Sequence, residues 1–280
     1  MRWPMKTPDR SILITGCSTG IGFAAARDLK QRGWRVLATA RKPADIARLS
    51  AMGLEVLTLE MADPASIATC AGRALDVTGG KLGALFSNAA YGQIGAVEDL
   101  TADVLRQQFE VNVIGLHDLT RRLIPSMRTN GAGRIVQCSS VLGLMSAPYR
   151  GAYCASKFAL EGLTDAMRME LHGTGIHVSL IEPGPIRTQF LPTALAMFRA
   201  KVDIENSPHR DNYKRRLASM ETGGKTTFKL EPEAVVRQLI RALESPRPKP
   251  RYFVTTPTYL ANILKRTLPT IVLDPFARRQ

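Results

Sequence analysis

A short apolar run, Ser11-Ile12-Leu13-Ile14-Thr15, empties into Gly16-Cys17-Ser18-Thr19-Gly20-Ile21-Gly22, and helix formers including Ala24, Ala25, Ala26 and Leu29 follow directly. A strand, a glycine-rich loop and a helix in immediate succession constrain this chain more than any other feature. The run has no polar face, so the strand reads as buried on both sides. Glycines at 16, 20 and 22 permit a tight turn and close backbone approach. The first turn of the helix offers free N–H groups and the positive end of its dipole to an anion seated in the loop. A pyrophosphate suits such a cradle.

The alternation continues. Residues 35–39, 54–59, 84–87, 134–138 and 177–182 read as further strands. Asp63-Pro64 opens a helix, with Asp as the cap and Pro in the first position. A long helix is expected over about residues 101–128, bent or broken near Pro125, and another over about 152–172. Strands alternating with helices give right-handed βαβ units. The fold class is therefore α/β, a doubly wound parallel sheet of Rossmann type covered on both faces.

Residues 8–280 read as a single dinucleotide-binding and catalytic domain. Within it residues 189–230, with Pro192, Pro208 and Gly223-Gly224, break the rhythm and read as a mobile excursion forming a substrate lid. A helix follows Glu231-Pro232-Glu233, and residues 251–254 suit an edge strand. Residues 257–280 read as a C-terminal helical extension. Its stretch 259–273 is apolar and basic together. That suits packing against its own domain or a partner subunit better than rest on an anionic membrane surface.

Composition removes several classes. Cys17, Cys70, Cys138 and Cys154 are scattered without a C-x-x-C pair, and His117, His172, His177 and His209 lack metal-ligand spacing. Neither a disulfide framework nor a metal site is expected, and the compartment reads as reducing. Met1 to Lys6 lacks the apolar core of a signal peptide, and no apolar run approaches the roughly 18 residues of a membrane span. A cytoplasmic protein is expected. The net charge of +14 is dispersed along the chain, which reads as a solvated surface and not as a nucleic-acid footprint.

The end of the second strand bears on the cofactor. A carboxylate there holds the ribose hydroxyls of NAD, whereas positive charge there meets the 2′-phosphate of NADP. This chain has Thr39-Ala40-Arg41-Lys42, with no acid, and Arg41 can bond a phosphate bidentately. NADP is expected over NAD. Further on, Tyr153 and Lys157 stand four apart on a helix and share one face. A phenol near pKa 10 is a poor proton carrier at neutral pH, and an ammonium nearby is expected to lower that value.

These residues together resemble the short-chain dehydrogenase/reductase family over about residues 11–190. The motifs occur in the family's order: Thr15-x3-Gly20-Ile21-Gly22; Ser87-Asn88-Ala89-Ala90; Asn112-Val113-x-Gly115; Ser139-Ser140; Tyr153-x3-Lys157; and Pro183-Gly184-Pro185-Ile186-Arg187-Thr188. The resemblance implies an oxidoreductase transferring a hydride between NADP(H) and an alcohol/carbonyl pair. Tyr153 would be the general acid/base, and Lys157 would hold the nicotinamide ribose. Ser140, with Ser139 as runner-up, would hydrogen-bond the substrate oxygen. Asn112 would anchor a water in a proton relay. Gly16, Ser18, Thr19, Gly20, Ile21, Gly22, Arg41, Asn88, Ile186 and Thr188 would contact the cofactor. A homodimer or homotetramer is implied by the resemblance alone. The chain departs from the pattern at Glu60-Met61, where the family commonly has an Asp meeting adenine, and at Ala90, where it usually has Gly.

Gly16-Cys17-Ser18-Thr19-Gly20 and the run from Tyr153 to Leu160 resemble the branch handling hydroxysteroids and retinoids. Leu142, Leu144, Met145, Pro148 and Tyr149 would line the approach to Ser140, and such a wall suits an apolar alcohol or ketone. The competing reading is a catalytically silent NADP-sensing protein on the same fold.

Overall fold

The strands read from the apolar runs assemble into one sheet in a computed structural model that describes residues 8–221 and 228–278. The first half contains β1 (Ser11–Ile14), α1 (Gly20–Gln31), β2 (Arg35–Ala40), α2 (Pro43–Ala51), β3 (Glu55–Thr58), α3 (Pro64–Val77) and β4 (Ala84–Ser87). The second contains α4 (Ala102–Phe109), α5 (Gly115–Asn130), β5 (Gly133–Cys138), α6 (Gly151–Glu170) and β6 (Ile176–Glu182). Then come α7 (Phe190–Lys201), α8 (Arg210–Glu221), α9 (Glu233–Glu244), β7 (Arg251–Phe253), α10 (Thr256–Thr267) and α11 (Thr270–Arg278).

The sheet has seven strands in the order β3-β2-β1-β4-β5-β6-β7, and all neighbours are parallel. The direction of winding reverses between β1 and β4, which opens a crevice at their carboxyl ends. Alternate residues of one strand feed opposite faces. Ile12 and Ile14 join α1 and α9 in one core, while Leu13 joins α3, α5 and α6 in the other. Two buried faces explain the unbroken apolar runs. Asp63 accepts from the Ala65 N–H at 2.9 Å and caps α3, as its sequence indicates.

One local expectation is corrected, and two connections gain elements. The long helix is not broken at Pro125, which lies inside α5. Pro125 is on the exposed side, where water can serve the carbonyl its ring leaves unpaired. The break lies instead at a π-helical turn, Glu110–Ile114, which separates α4 from α5. Just beyond it, a Cβ on Gly115 would collide with the Met61 carbonyl oxygen, so α5 meets the end of β3 through bare backbone. Between β2 and β3, α2 fills the connection with Pro43 in its first turn.

The segment after residue 189 forms α7 and α8, and residues 222–227, with Gly223-Gly224, lie outside the described residues. Phe198 and Tyr213 bury against Ile94 in a third core, and the Tyr213 hydroxyl accepts from the Ala96 N–H and donates to Asp99.

The C-terminal α10 packs inward through Thr258 and Ala261 and leaves Tyr259, Leu260 and Ile263 exposed. Among the described residues no helix is long and apolar enough to cross a membrane, and no cluster of His, Cys, Asp or Glu suits a metal ion.

Candidate active site

The loop between β1 and α1 is shaped by backbone that favours glycine. Gly16 and Gly20 have φ of 72° and 59°. A Cβ on Gly22 would stand closer than 3.0 Å to the Gly16 carbonyl oxygen. Thr19 precedes α1 without a side-chain cap, which leaves the first helical N–H groups facing the loop. Thr15 accepts from the N–H groups of Asn88 and Ala89, both at 2.8 Å, and the Asn88 amide donates to the Thr15 carbonyl at 3.1 Å. Asn88 thus pins the loop to the end of β4. Thr188 reaches the same loop, since a Cβ on Gly20 would meet its Cγ2 at 3.0 Å. Ile186 packs into the core beneath, and its neighbour Arg187 donates its N–H to the Leu230 carbonyl at 2.9 Å. Ser18 and Ile21 lie half-buried at the rim of the loop.

At the end of β2, Arg41 is largely exposed and pairs with Glu60 at 3.1 Å. Arg48 of α2 reaches over the loop as well, donating to the Ser18 carbonyl at 2.5 Å and lying 5.3 Å from the Phe23 ring. The β2 end of the cradle is therefore flanked by Arg41, Lys42 and Arg48. Glu60 is bonded to Arg41 there, while Met61 is buried.

At the other end of the crevice, α6 brings Tyr153 and Lys157 onto one buried face. The Lys157 ammonium donates to the Cys138 carbonyl at 2.7 Å and lies 5.7 Å from the centre of the Tyr153 ring. Ser140, extended at the end of β5, accepts from the Leu142 N–H at 3.1 Å and so caps the short turn Val141–Gly143. Ser140 stands near enough to the Tyr153 phenol to favour its ionised form, whereas the Ser139 hydroxyl faces Glu161.

Burial pushes the Tyr153 phenol well above its ordinary value, and Ser140 and Arg150 pull it part of the way back. This reverses the expected direction: desolvation of the ring outweighs the neighbouring positive charge. Burial likewise lowers Lys157, against the opposing influence of Cys138 and Glu161.

Asn112 sits in the π-helical turn, wholly buried. It accepts from the Tyr91 N–H at 3.2 Å and donates to the Tyr91 carbonyl at 2.9 Å and to Ser156 at 3.1 Å. Ser156 in turn donates to the Tyr153 carbonyl at 2.8 Å. Asn112 therefore braces the Tyr91 backbone directly and the Tyr153 backbone through Ser156.

The family model for the short chain dehydrogenase matches residues 10–197. The chain belongs to the short-chain dehydrogenase family. It is a nucleotide-binding oxidoreductase of the hydride-transferring kind. Among its relatives is the uncharacterized oxidoreductase YbbO of Escherichia coli, 43% identical over 269 residues that cover 96% of this chain and 94% of YbbO. The 17-beta-hydroxysteroid dehydrogenase type 1 of Homo sapiens is 34% identical over 263 residues, covering 87% of this chain and 77% of that protein. A short-chain dehydrogenase/reductase from Burkholderia phymatum in complex with NAD superposes with a TM-score of 0.76 at 26% identity, covering 94% of this chain and 93% of that one.

Several features of this short-chain dehydrogenase escape its sequence motifs. Phe190, the first residue of α7, packs on the Tyr153 ring at 5.2 Å, and a Cβ on Gly92 would strike it. Arg48 carried no signal because α2 itself was not expected. Tyr149 turns from the approach to Ser140 toward α8, where its ring meets His209 and Tyr213 at 5.5 and 5.6 Å.

Proposed function

We propose that this short-chain dehydrogenase moves a hydride between NADP(H) and an apolar alcohol/carbonyl substrate, with Tyr153 as the general acid/base. The observation carrying this reading is that Tyr153 and Lys157 share one buried face of α6, the ammonium 5.7 Å from the ring centre, with Ser140 beside the phenol. The cradle fits a dinucleotide: glycine backbone at positive φ leaves room, and an uncapped helix start meets a pyrophosphate. Gly16, Ser18, Thr19, Gly20, Ile21 and Gly22 would hold the phosphates, and Asn88, Ile186 and Thr188 the part nearer the reaction. Arg41, with Lys42 and Arg48 beside it, supports NADP over NAD.

When bound, the nicotinamide supplies or accepts the hydride. The chain's own residues handle the proton. Ser140 would hold the substrate oxygen against the phenol, and Tyr153 would give that oxygen its proton as a carbonyl becomes an alcohol. Burial keeps the phenol protonated at rest, which is the form a donor needs. Lys157 would then steady the phenolate, and Asn112 would keep the backbone under both groups in register.

Leu142, Leu144 and Met145 would line the approach as an apolar wall together with Phe190, which packs on the Tyr153 ring, and this supports a hydrophobic alcohol or ketone. We read α7 and α8 as a lid over that wall. Leu105 on α4, and Phe158 and Leu163 on α6, are exposed and apolar, which supports a homo-oligomer. The test is a screen of carbonyl compounds with NADPH and NADH, followed by absorbance at about 340 nm. Turnover should be faster with NADPH, and Tyr153→Phe should bind NADPH but not turn over. Undiminished turnover by that variant refutes the assignment.

A further inference from the structure

One helical turn beyond Lys157, three carboxylates converge on one guanidinium. Arg251, on the edge strand β7, donates through Nη1 to Glu161 and to Glu182, the latter at 2.5 Å, and through Nη2 to Asp165 at 2.5 Å. Glu182 is wholly buried at the end of β6, and Glu161 is nearly so. Asp165 is partly exposed and has Arg168 as a second partner at 3.0 Å.

One guanidinium does not balance two buried carboxylates, so the Glu161–Glu182 pair needs a proton. Glu161 Oε1 and Glu182 Oε2 are buried without a separate hydrogen-bond partner. Burial and the charge on Glu161 push Glu182 up to about 8. Burial raises Glu161 as well, but Ser139 and Arg251 draw it back, whereas Glu182 also faces the charge on Glu161; the proton the pair shares near neutrality therefore sits on Glu182, and Glu161 keeps its charge against Arg251.

Glu161 follows Lys157 by four residues on α6, so the two side chains share a face. The ammonium is buried and donates to a neutral carbonyl, that of Cys138. Glu161 also abuts the turn after Ser140: a Cβ on Gly143 would lie 2.6 Å from Ser139 Oγ and 3.1 Å from Glu161 Oε1. The titratable groups around the ammonium are Tyr153 and Glu161 on its own helix and Cys138 on β5. Glu182 of β6 and Arg251 of β7 stand behind Glu161. Ser139, Asn112 and Ser156, from the neighbouring segments, are neutral.

We propose that Glu161 is a positioning residue for the reaction: its carboxylate, clamped by Arg251, keeps the buried Lys157 amine in its charged form. This rests on the role of Lys157 in the proposed function. On the buried face of α6 the Glu161 charge favours the ionised amine, and a neighbouring opposite charge holds an ionised group by about one pH unit or more.

The experiment compares the full chain with Glu161→Gln and Glu161→Asp. Side-chain nitrogen NMR would follow the Lys157 amine through a pH titration, beside kcat measured over the same range. In Glu161→Gln the amine midpoint should fall by about one pH unit, and kcat should lose about tenfold near pH 9 but only about twofold near pH 6. Glu161→Asp, which keeps the charge, should restore most of both. An unmoved midpoint, or an equal loss of kcat at every pH, overturns the inference. Should the Gln variant fail to fold, an Asp variant whose midpoint falls by a full unit overturns it too. The titration does not depend on turnover, so a shifted midpoint in an inactive protein would count against the proposed function and not against the coupling.

Discussion

Gly22 on α1 packs against the backbone of Gly16: a Cβ placed there would overlap the Gly16 carbonyl oxygen and stand 2.8 Å from the Asn88 amide nitrogen. Both obstacles belong to the cradle itself, so neither moves without opening it. Gly22→Ala should cost about 1–3 kcal/mol of stability by overpacking. It should also weaken dinucleotide binding by at least about tenfold. Thermal unfolding and a fluorescence titration with NADPH check the two effects separately.

Arg41 meets Glu60 across the ribose end of the crevice. An exposed pair of this kind adds little to stability, so Arg41→Ala should leave the melting temperature nearly unchanged. A charged hydrogen bond to a 2′-phosphate is worth about 1.5–3 kcal/mol, which predicts a KM for NADPH at least about tenfold higher. The KM for NADH should hardly move. Equal losses with both cofactors would remove Arg41 from the phosphate site.

Phe190 rests on the Tyr153 ring at 5.2 Å and is partly buried. Phe190→Ala should destabilise by about 1–3 kcal/mol, less than a fully buried phenylalanine would. Its larger effect should be a KM several-fold higher for apolar carbonyls than for small polar ones. Steady-state kinetics on a chain-length series decides it.

Glu182 has its carboxyl raised from the ordinary 4.5 to about 8. Between these values the folded protein holds a proton that the unfolded chain has released. The corresponding stability is present at low pH and is lost as the pH climbs toward about 8. Glu182→Gln imitates the protonated form and should remove this slope. Relative to the wild type, the variant should gain in melting temperature between about pH 5 and pH 8, read by calorimetry across that range.

Much of this architecture was legible because its signals are local. The run before Gly16, the cap at Asp63-Pro64 and the strand-helix alternation each follow from a few adjacent residues, and the resemblance supplied the ordered site motifs. What escaped was set by distance. Glu161, Glu182 and Arg251 are ordinary surface-type residues in the sequence, and only the parallel pairing of β6 with β7 brings them together. The π-helical turn at Asn112 is stabilised by the Tyr91 backbone, which no period of apolar residues encodes. The rise in the Tyr153 phenol reflects burial by its surroundings, whereas spacing alone revealed only the amine beside it.

Thr15 and the amide of Asn88 are 73 residues apart in the chain yet hydrogen-bonded. A nascent polypeptide that has exposed only its first three strands has nothing to place along the open edge of β1. Its anion-binding turn lacks the brace that Asn88 and Ala89 later provide. Nucleotide present during synthesis therefore has no finished seat to occupy until β4 has arrived. Added cofactor should slow unfolding of the finished sheet while leaving the rate of refolding untouched, because the long-range closure that limits such a sheet precedes the seat the cofactor occupies.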